Sequence, residues 1–310
     1  MSTGREVNLG LVAQLGHTTV DDLQVVAAAA RKRDPRVHAW VFKDRPERLR
    51  RRWLARRPSM FFAARPFIQF SPVRGRVFAG VGLTKSDEYR RLAEAGFRIP
   101  RTRVLSEHGM PDISDLGPYV VVKPDTGARG ATVKIVRSDR VRWRPPEFDS
   151  DVYERSPNLL VQEFIYTGSW PISYRVQTLF GEALACVRVE ADHDRIPLSD
   201  RYAFAVAGGG RTIVASSQRC SIRLWDDDEL IEIAERVHAL FPECANLGVD
   251  LVREHPSGDV YILEVNARGG GWLLSTPSLD EACGAPLAGQ RDGLARAGRL
   301  LADASLRFAE

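Results

Sequence analysis

Cysteine and histidine are scarce in this sequence of 310 residues, which contains 4 cysteines and 6 histidines. Cys186, Cys220, Cys244 and Cys283 are widely spaced, and no two of them form the C-x-x-C arrangement of a zinc or redox site. The histidines are equally scattered. This spacing argues against a zinc centre and against Cys/His nucleophilic catalysis. It predicts reduced, mostly buried thiols in a cytoplasmic protein.

Long hydrophobic runs are also missing. No stretch reaches the roughly 18 uncharged apolar residues that a membrane helix needs. The first ten residues include Arg5 and Glu6, and they lack the apolar run and small-residue cleavage site of a secretory signal. Apolar residues still make up 44% of the chain and charged residues 27%, as in a globular protein with two or three small domains. The sequence therefore predicts a cytoplasmic protein without a membrane partner.

The first 80 residues alternate between strand and helix patterns. Val7–Val12, Val37–Phe42 and Met60–Ala64 are short apolar runs typical of buried strands, and Thr19–Arg33 is rich in alanine and valine, which indicates a helix. This alternation predicts a small α/β domain over residues 1–80.

A second unit is predicted over residues 81–157. It begins with a helix, for which Ser86 is a candidate N-cap and Gly96 the stop signal. The runs Val120–Pro124 and Ala131–Val136 are rich in β-branched residues and flank a small-residue loop, so they predict a hairpin.

The third unit, over residues 158–310, continues the mixture of strands and helices. A helix is predicted where Leu230, Ile233 and Val237 share one face, and another near the C-terminus. The predicted strands are Leu159–Ile165, Ser173–Phe180, Ala183–Val189, Leu247–Val252 and Val260–Val265. The fold class is therefore a mixed α/β (α+β) protein.

Acidic and amide side chains interrupt the last two predicted strands. Glu264 and Asn266 are two apart on one strand and share a face, and Asp250 ends the neighbouring strand. Each residue alone is typical of a turn or a strand end. Together, in strands that are otherwise apolar, two carboxylates and an amide oxygen need a partner, and they are the hard ligands that Mg²⁺ prefers. Arg268 follows on the same face and is a candidate phosphate ligand.

Two earlier segments are compatible with nucleotide binding. Lys123 ends a valine run and is able to present its ammonium to phosphates, although an edge lysine that simply ends a strand has the same pattern. The Gly127–Gly130 loop after it offers backbone N–H groups, which is a weak signal. The strand Leu160–Ile165 offers an apolar slot and backbone hydrogen bonds for an adenine.

In this order the segments resemble the ATP-grasp superfamily over about Gly80–Gly271. The resemblance implies an ATP-grasp fold: a small α/β domain followed by two lobes that clamp ATP. It assigns candidate ATP contacts to Lys85, Lys123, Gly127, Arg129, Gly130, Gln162, Glu163, Phe164, Ile165 and Ser173. It assigns the metal to Asp250, Glu264 and Asn266, and catalytic arginines to Arg175, Arg201 and Arg268.

Within the superfamily, the sequence is most similar to the ribosomal-protein glutamate ligase group. Ser173 departs from that group, which has an acid there for the ribose. Ala203 and Phe204 stand where the group has an asparagine, and the Gly269–Trp272 ending lacks the usual proline.

The resemblance also implies the chemistry. A substrate carboxylate attacks the γ-phosphate of ATP to give an acylphosphate and ADP, and an amine or a thiol then displaces phosphate. ATP and Mg²⁺, with Mn²⁺ as an alternative metal, are the expected cofactors. The expected partners are a small-molecule or peptide carboxylate and an amine nucleophile that enters near Arg201–Gly210. A homodimer is left open.

Two other functions remain open at this point. A phosphotransferase on the same fold would end at a phosphorylated anionic product, and a non-catalytic protein would bind nucleotide or RNA. An arginine cluster bears on both, because residues 45–57 contain seven arginines and one acid, Glu47. Its helical spacing predicts a line of Arg48, Arg52 and Arg56, either as a solvated face or as a contact for an acidic partner. It lacks the interleaved aromatics of a single-strand platform, which argues against nucleic acid.

Overall fold

The described residues form both strands and helices, as the hydrophobic periodicity predicts. The structure, a computed structural model, describes residues 5–14, 17–46, 52, 54–126, 133–145, 156–191, 220–267 and 290–310. The strands are β1 Val7–Ala13, β2 Val37–Lys43, β3 Ser59–Phe62, β4 Arg76–Phe78, β5 Thr102–Leu105, β6 Tyr119–Pro124, β7 Lys134–Arg137, β8 Leu159–Glu163, β9 Ile172–Leu179, β10 Glu182–Ala191, β11 Cys220–Leu224, β12 Asn246–Arg253 and β13 Val260–Asn266. The helices are α1 Val20–Arg33, α2 Lys85–Glu94, α3 Asp228–His238 and α4 Gln290–Phe308. The mixed α/β class predicted from the sequence is confirmed.

The N-terminal sheet is parallel and has the order β2-β1-β3-β4. Every residue of β1 is buried, as expected of a central strand that is covered on both faces. Helix α1 begins at the N-cap Thr19, whose hydroxyl accepts a hydrogen bond from the Asp22 N–H at 3.1 Å. Its apolar stripe faces the sheet and forms part of the core.

Helix α4 packs on α1, although the two helices are more than 250 residues apart in sequence. Gly298 permits this close approach. A Cβ atom at that position would lie 2.4 Å from the carbonyl oxygen of Val26 and 2.6 Å from the Cβ of Ala29. The C-terminal helix thus completes the core of the N-terminal sheet.

The second sheet is antiparallel and has the order β5-β8-β6-β7. The predicted hairpin is present, with Val120 opposite Val136. Strand β8 is central and pairs with β5 on one side and β6 on the other. The separation of the chain into units 1–80, 81–157 and 158–310 remains a prediction. Strand β8 of the third unit pairs within the sheet of the second, and α4 packs on the first.

The third sheet, β11-β10-β9-β12-β13, is antiparallel throughout. Helix α3 covers one of its faces, where Leu230 and Val237 pack with Val176 and Leu247. A β-bulge interrupts the pairing of β12 with β13, because Asp250 is opposite Glu264 while Leu251 is opposite Ile262.

Helix α2 runs along the outer edge of β13. Its N-cap is Thr84, whose hydroxyl accepts from the Asp87 N–H at 3.1 Å, and not Ser86 as the sequence predicted. Ser86 binds Asp125 instead, through its N–H at 2.9 Å and its hydroxyl at 3.0 Å. Gly96 follows the helix at φ +76°, as predicted for its end. In the described part of the chain, no helix has the length and apolarity needed to span a membrane.

Candidate active site

Three charged residues lie side by side across the third sheet. Asp250 on β12 is opposite Glu264 on β13 and opposite Arg175 on β9. Directly opposed residues in antiparallel strands project to the same face. Neighbouring residues such as Tyr174 and Leu251 point the other way, into the core under α3. Because side chains alternate between the two faces along each strand, the apolar residues lie on one face and the row of charged residues lies on the other.

Arg175 and Asp250 form a bidentate ion pair. The Arg175 Nε donates to Asp250 Oδ1 at 2.5 Å, and Nη2 donates to Oδ2 at 2.6 Å. Both side chains keep some exposure, 28% and 19% respectively. Burial disfavours the guanidinium charge, but the Asp250 carboxylate outweighs this and raises the pKa of Arg175. The arginine is thus charged at neutral pH.

Asn266 completes the carboxylate row. Its Nδ2 donates to Asp250 Oδ2 at 3.1 Å and to the Gly248 carbonyl at 3.4 Å. This leaves the amide Oδ1 as the atom suited to a cation. No three His, Cys, Asp or Glu side chains group as metal ligands within the described ranges. Two carboxylates and one amide oxygen fit Mg²⁺, which takes oxygen ligands and usually keeps water or phosphate oxygens in its remaining positions.

Helix α2 binds three consecutive residues of β13. Lys85 Nζ lies 3.3 Å from Glu264 Oε1, and the Val265 N–H donates to Glu88 Oε2 at 3.3 Å. Tyr89 donates its hydroxyl proton to the carbonyl of Leu263, the bulged residue. The bulge provides this contact because it interrupts the strand ladder at Leu263.

Lys123 reaches the same carbonyl from the second sheet. Its Nζ donates to Leu263 O at 3.2 Å and to the Tyr89 hydroxyl at 2.6 Å, and it lies 5.1 Å from the centre of the Tyr89 ring. The residue is 5% exposed. Burial lowers the pKa of Lys123, with Glu264, Glu88 and other carboxylates opposing the shift. The second and third sheets thus meet at a buried ammonium group.

The carboxyl groups respond in opposite ways to this environment. Burial and the nearby Glu264 raise the pKa of Glu88 well above its usual range, which favours its protonated form. Burial would also raise the pKa of Glu264, but Lys85 and Lys123 outweigh it and lower that pKa. Glu264 therefore remains a carboxylate, as a cation ligand must.

Sequence reasoning missed the roles of Glu88 and Tyr89. It identified Lys85 as a candidate ATP contact and assigned no function to either of these residues. Helical spacing contained the missing signal, because residues three and four positions after Lys85 lie on its face of the helix. A buried glutamate in that position is a further sign of a site.

The predicted hinge lies at the end of β8. Gln162 is buried and donates from Nε2 to the Thr102 hydroxyl at 3.0 Å. Glu163 accepts from the Arg101 side chain at 2.8 and 3.0 Å, so its carboxylate is held by an ion pair. The two following residues, Phe164 and Ile165, lie beyond the strand, where the chain leaves for β9.

The structure describes only some of the other predicted residues. Ser173 lies near the start of β9, opposite Val189 of β10, and is partly exposed. Gly127, Arg129, Gly130, Arg201 and Arg268 lie outside the described residues, as do Arg48 and the 208–210 glycines. Of the arginine cluster, Arg52 and Arg56 are exposed. Arg57 pairs with Glu6 at 3.0 Å.

The site as a whole combines basic groups with oxygen ligands. Three basic side chains, from different elements, face two carboxylates and one amide: Lys85, Lys123 and Arg175 against Asp250, Glu264 and Asn266. Such a set is able to hold a polyanion together with a divalent cation. A phosphate oxygen is able to replace a carboxylate as the partner of a basic side chain, and the carboxylate is then available to bind the cation. The segment between β4 and α2 contacts the residue after β13, where the Val81 N–H donates to the Ala267 carbonyl at 3.0 Å.

Comparison with known proteins gave a family match. The ATP-grasp domain family model matches residues 84–271, from the N-cap of α2 past the end of β13. Comparison with curated protein sequences gave no match.

Solved structures of ATP-grasp proteins are similar to the whole chain. PsnB, an ATP-grasp ligase complexed with minimal precursor, Mg and ADP, is 13% identical, with 94% of this chain and 98% of that chain covered and a TM-score of 0.51. D-alanine–D-alanine ligase from Bacillus anthracis is 15% identical over 96% and 99%, with a TM-score of 0.48. A RimK domain protein from Sphaerobacter thermophilus is 16% identical over 96% and 98%, also at 0.48.

Proposed function

The chain belongs to the ATP-grasp family, and from this premise we propose that it is an ADP-forming carboxylate–amine ligase. It binds ATP with Mg²⁺ between the second and third sheets and activates a substrate carboxylate as an acylphosphate. A thiol is an alternative nucleophile. The solved complex of PsnB with Mg and ADP, which has the same fold, supports a nucleotide and a metal as ligands here.

One observation supports the proposal above the others. Arg175, Asp250 and Glu264 occupy one row of the sheet. From two other elements, Lys85 reaches Glu264 and Lys123 reaches the carbonyl of the adjacent Leu263. A protein that uses this surface only for stability would gain little from so many charges, because buried ion pairs rarely repay their desolvation. Polyphosphate and metal binding explains why they converge.

In this proposal Asp250, Glu264 and Asn266 hold the metal. Mg²⁺, when bound, neutralises phosphate charge and lowers the barrier to attack at phosphorus. Arg175 and Lys123 bind phosphate oxygens and hold the γ-phosphate in line with the attacking carboxylate. The buried position of Lys123 excludes water from its ammonium and strengthens that contact.

The reaction has two balanced steps. A carboxylate oxygen of the acid bonds to the γ-phosphorus while the bond from phosphorus to the β–γ bridging oxygen breaks, and ADP departs with that electron pair. The amine nitrogen then bonds to the acyl carbon, the carbon–oxygen bond to phosphate breaks, and the amine loses a proton. The products are an amide, ADP and phosphate.

The nucleotide product and the ligated product test the reaction type together. The protein is incubated with MgATP and a mixed pool of amino acids and peptides, and products are identified by mass spectrometry. We expect ADP, phosphate and a product lighter by one water than the two substrates combined. AMP and pyrophosphate would indicate adenylation and refute the proposal. A stable phosphorylated product would replace it with a phosphotransferase.

A further inference from the structure

The hydroxyl group of Tyr89 connects three parts of the candidate site. It donates to the carbonyl of Leu263, next to the predicted metal ligand Glu264. It accepts from Lys123 Nζ at 2.6 Å, so that helix α2 is joined through this hydroxyl to strand β13 and to the lysine of β6. A phenolic hydroxyl is both a donor and an acceptor, and these two contacts use both functions.

The geometry restricts the ammonium of Lys123. A lysine side chain has a flexible four-carbon stem and three N–H donors. Two donors are directed to the Tyr89 oxygen at 2.6 Å and to Leu263 O at 3.2 Å. Among the described residues the third N–H has no hydrogen-bond acceptor. This N–H is therefore available to donate a hydrogen bond to a ligand oxygen.

The ring of Tyr89 has a separate, structural role. It is 5% exposed and packs in the core cluster with Leu92 and Leu160. Packing needs only the ring, which phenylalanine also has. A buried hydroxyl without partners is costly, so its presence here requires the polar contacts that it makes.

We propose that Tyr89 is a positioning residue, whose hydroxyl holds the Lys123 ammonium against the Leu263 carbonyl so that one N–H is directed at a phosphate oxygen of the nucleotide. This inference rests on the proposed function, in which Lys123 binds phosphate. It adds that helix α2 sets the distance between the phosphate lysine and the metal-binding strand. Tyr89 itself touches neither phosphate nor metal.

The inference predicts a selective loss of phosphate binding. Without the hydroxyl, the Lys123 ammonium loses its shortest contact and samples other positions. Binding of MgADP is expected to weaken by about tenfold to a hundredfold, the range that one hydrogen bond to a charged group supplies. Adenosine, which has no phosphate, is expected to bind as tightly as it does to the wild type.

The experiment compares four variants of the full chain by calorimetric titration with MgADP and with adenosine. Tyr89→Phe removes only the hydroxyl, and Lys123→Met removes the ammonium. The double variant combines them. Tyr174→Phe is the matched control, because Tyr174 is 8% exposed and lies in the same core cluster on the opposite face of the sheet from Arg175. Thermal melting of each variant reports folding.

The outcomes separate the inference from the proposed function. Support requires that Tyr89→Phe lose MgADP affinity but not adenosine affinity, that Tyr174→Phe lose neither, and that the double variant bind MgADP like Lys123→Met alone. If the two losses add, or if Tyr89→Phe binds both ligands equally poorly, the hydroxyl has only a structural role and the inference is wrong. If Lys123→Met binds MgADP like the wild type, the phosphate lysine of the proposed function is itself wrong.

Discussion

Replacing Arg175 with methionine tests whether the carboxylate row is a metal site. The substitution removes the guanidinium that holds Asp250 through two hydrogen bonds of 2.5 and 2.6 Å. Methionine has a similar volume, and residue 175 projects to the face opposite the core, so the core beneath the sheet is expected to stay packed. Asp250 then faces Glu264 without its strongest counter-charge. A divalent cation is expected to take the place of the guanidinium.

The expected stability change follows from the burial of the pair. Removing one partner of a fully buried ion pair costs about 3–5 kcal/mol, and an exposed pair contributes at most about 1 kcal/mol. Arg175 and Asp250 are 28% and 19% exposed, so they lie between these limits. We expect Arg175→Met to lose about 2 kcal/mol of unfolding free energy in the presence of a chelator.

Added magnesium is expected to return most of that loss. At 10 mM Mg²⁺ and a Kd of about 1 mM, binding to the folded state alone supplies about 1.4 kcal/mol. At roughly 2 °C per kcal/mol, the Tm of the variant rises by about 3 °C. The wild type is expected to gain less, because Mg²⁺ must first displace the guanidinium from Asp250.

The assay is a thermal melt of each protein with EDTA and with 10 mM MgCl₂. Arg188→Met is the control, since Arg188 pairs with Glu190 at 3.1 Å in the same sheet and is 12% exposed. It is expected to lose stability without any gain from Mg²⁺. If Arg175→Met gains no more from Mg²⁺ than Arg188→Met does, Asp250 and Glu264 do not form a metal site.

Two further predictions concern other parts of the chain. Gly298→Ala is expected to lower the unfolding free energy by about 1–3 kcal/mol, because the added Cβ would lie 2.4 Å from a backbone oxygen of α1. Gly109→Ala is the control, because its Cβ would lie in open space, and it is expected to change the unfolding free energy by less than about 0.5 kcal/mol. Equal urea midpoints for the two variants would contradict this. Replacing Arg48, Arg52 and Arg56 with glutamine is expected to raise the KM of the acid substrate at low salt and leave the KM for ATP nearly unchanged; an unchanged substrate KM would make the cluster a solvated face.

Local patterns predicted most of the secondary structure. Periodicity identified β9, β10, β12 and β13 of the third sheet, the β6–β7 hairpin and helix α1, because each depends on residues that are close in sequence. It did not identify β11. The same reasoning suggested that Asp250 would lie beside Glu264, and the register places them opposite each other. Their role as metal ligands stays a prediction.

Features that depend on distant contacts were not predicted. The N-cap of α2 is Thr84, because Ser86 binds Asp125 on another segment. The bulge at Leu263 needs the pairing of β12 with β13, and its contact with Tyr89 needs helix α2 to pack against β13. No pattern within one segment contains that information.

Hydroxylamine trapping tests the central claim, that the protein activates a carboxylate as an acylphosphate. Hydroxylamine replaces the amine, and the protein receives MgATP and the acid identified from the mixed pool. The wild type is expected to form the acid hydroxamate and ADP in equal amounts. Glu264→Gln is expected to form neither while remaining folded, and Glu190→Gln to react like the wild type. Release of AMP with the hydroxamate, or ADP release without any hydroxamate, would contradict the account.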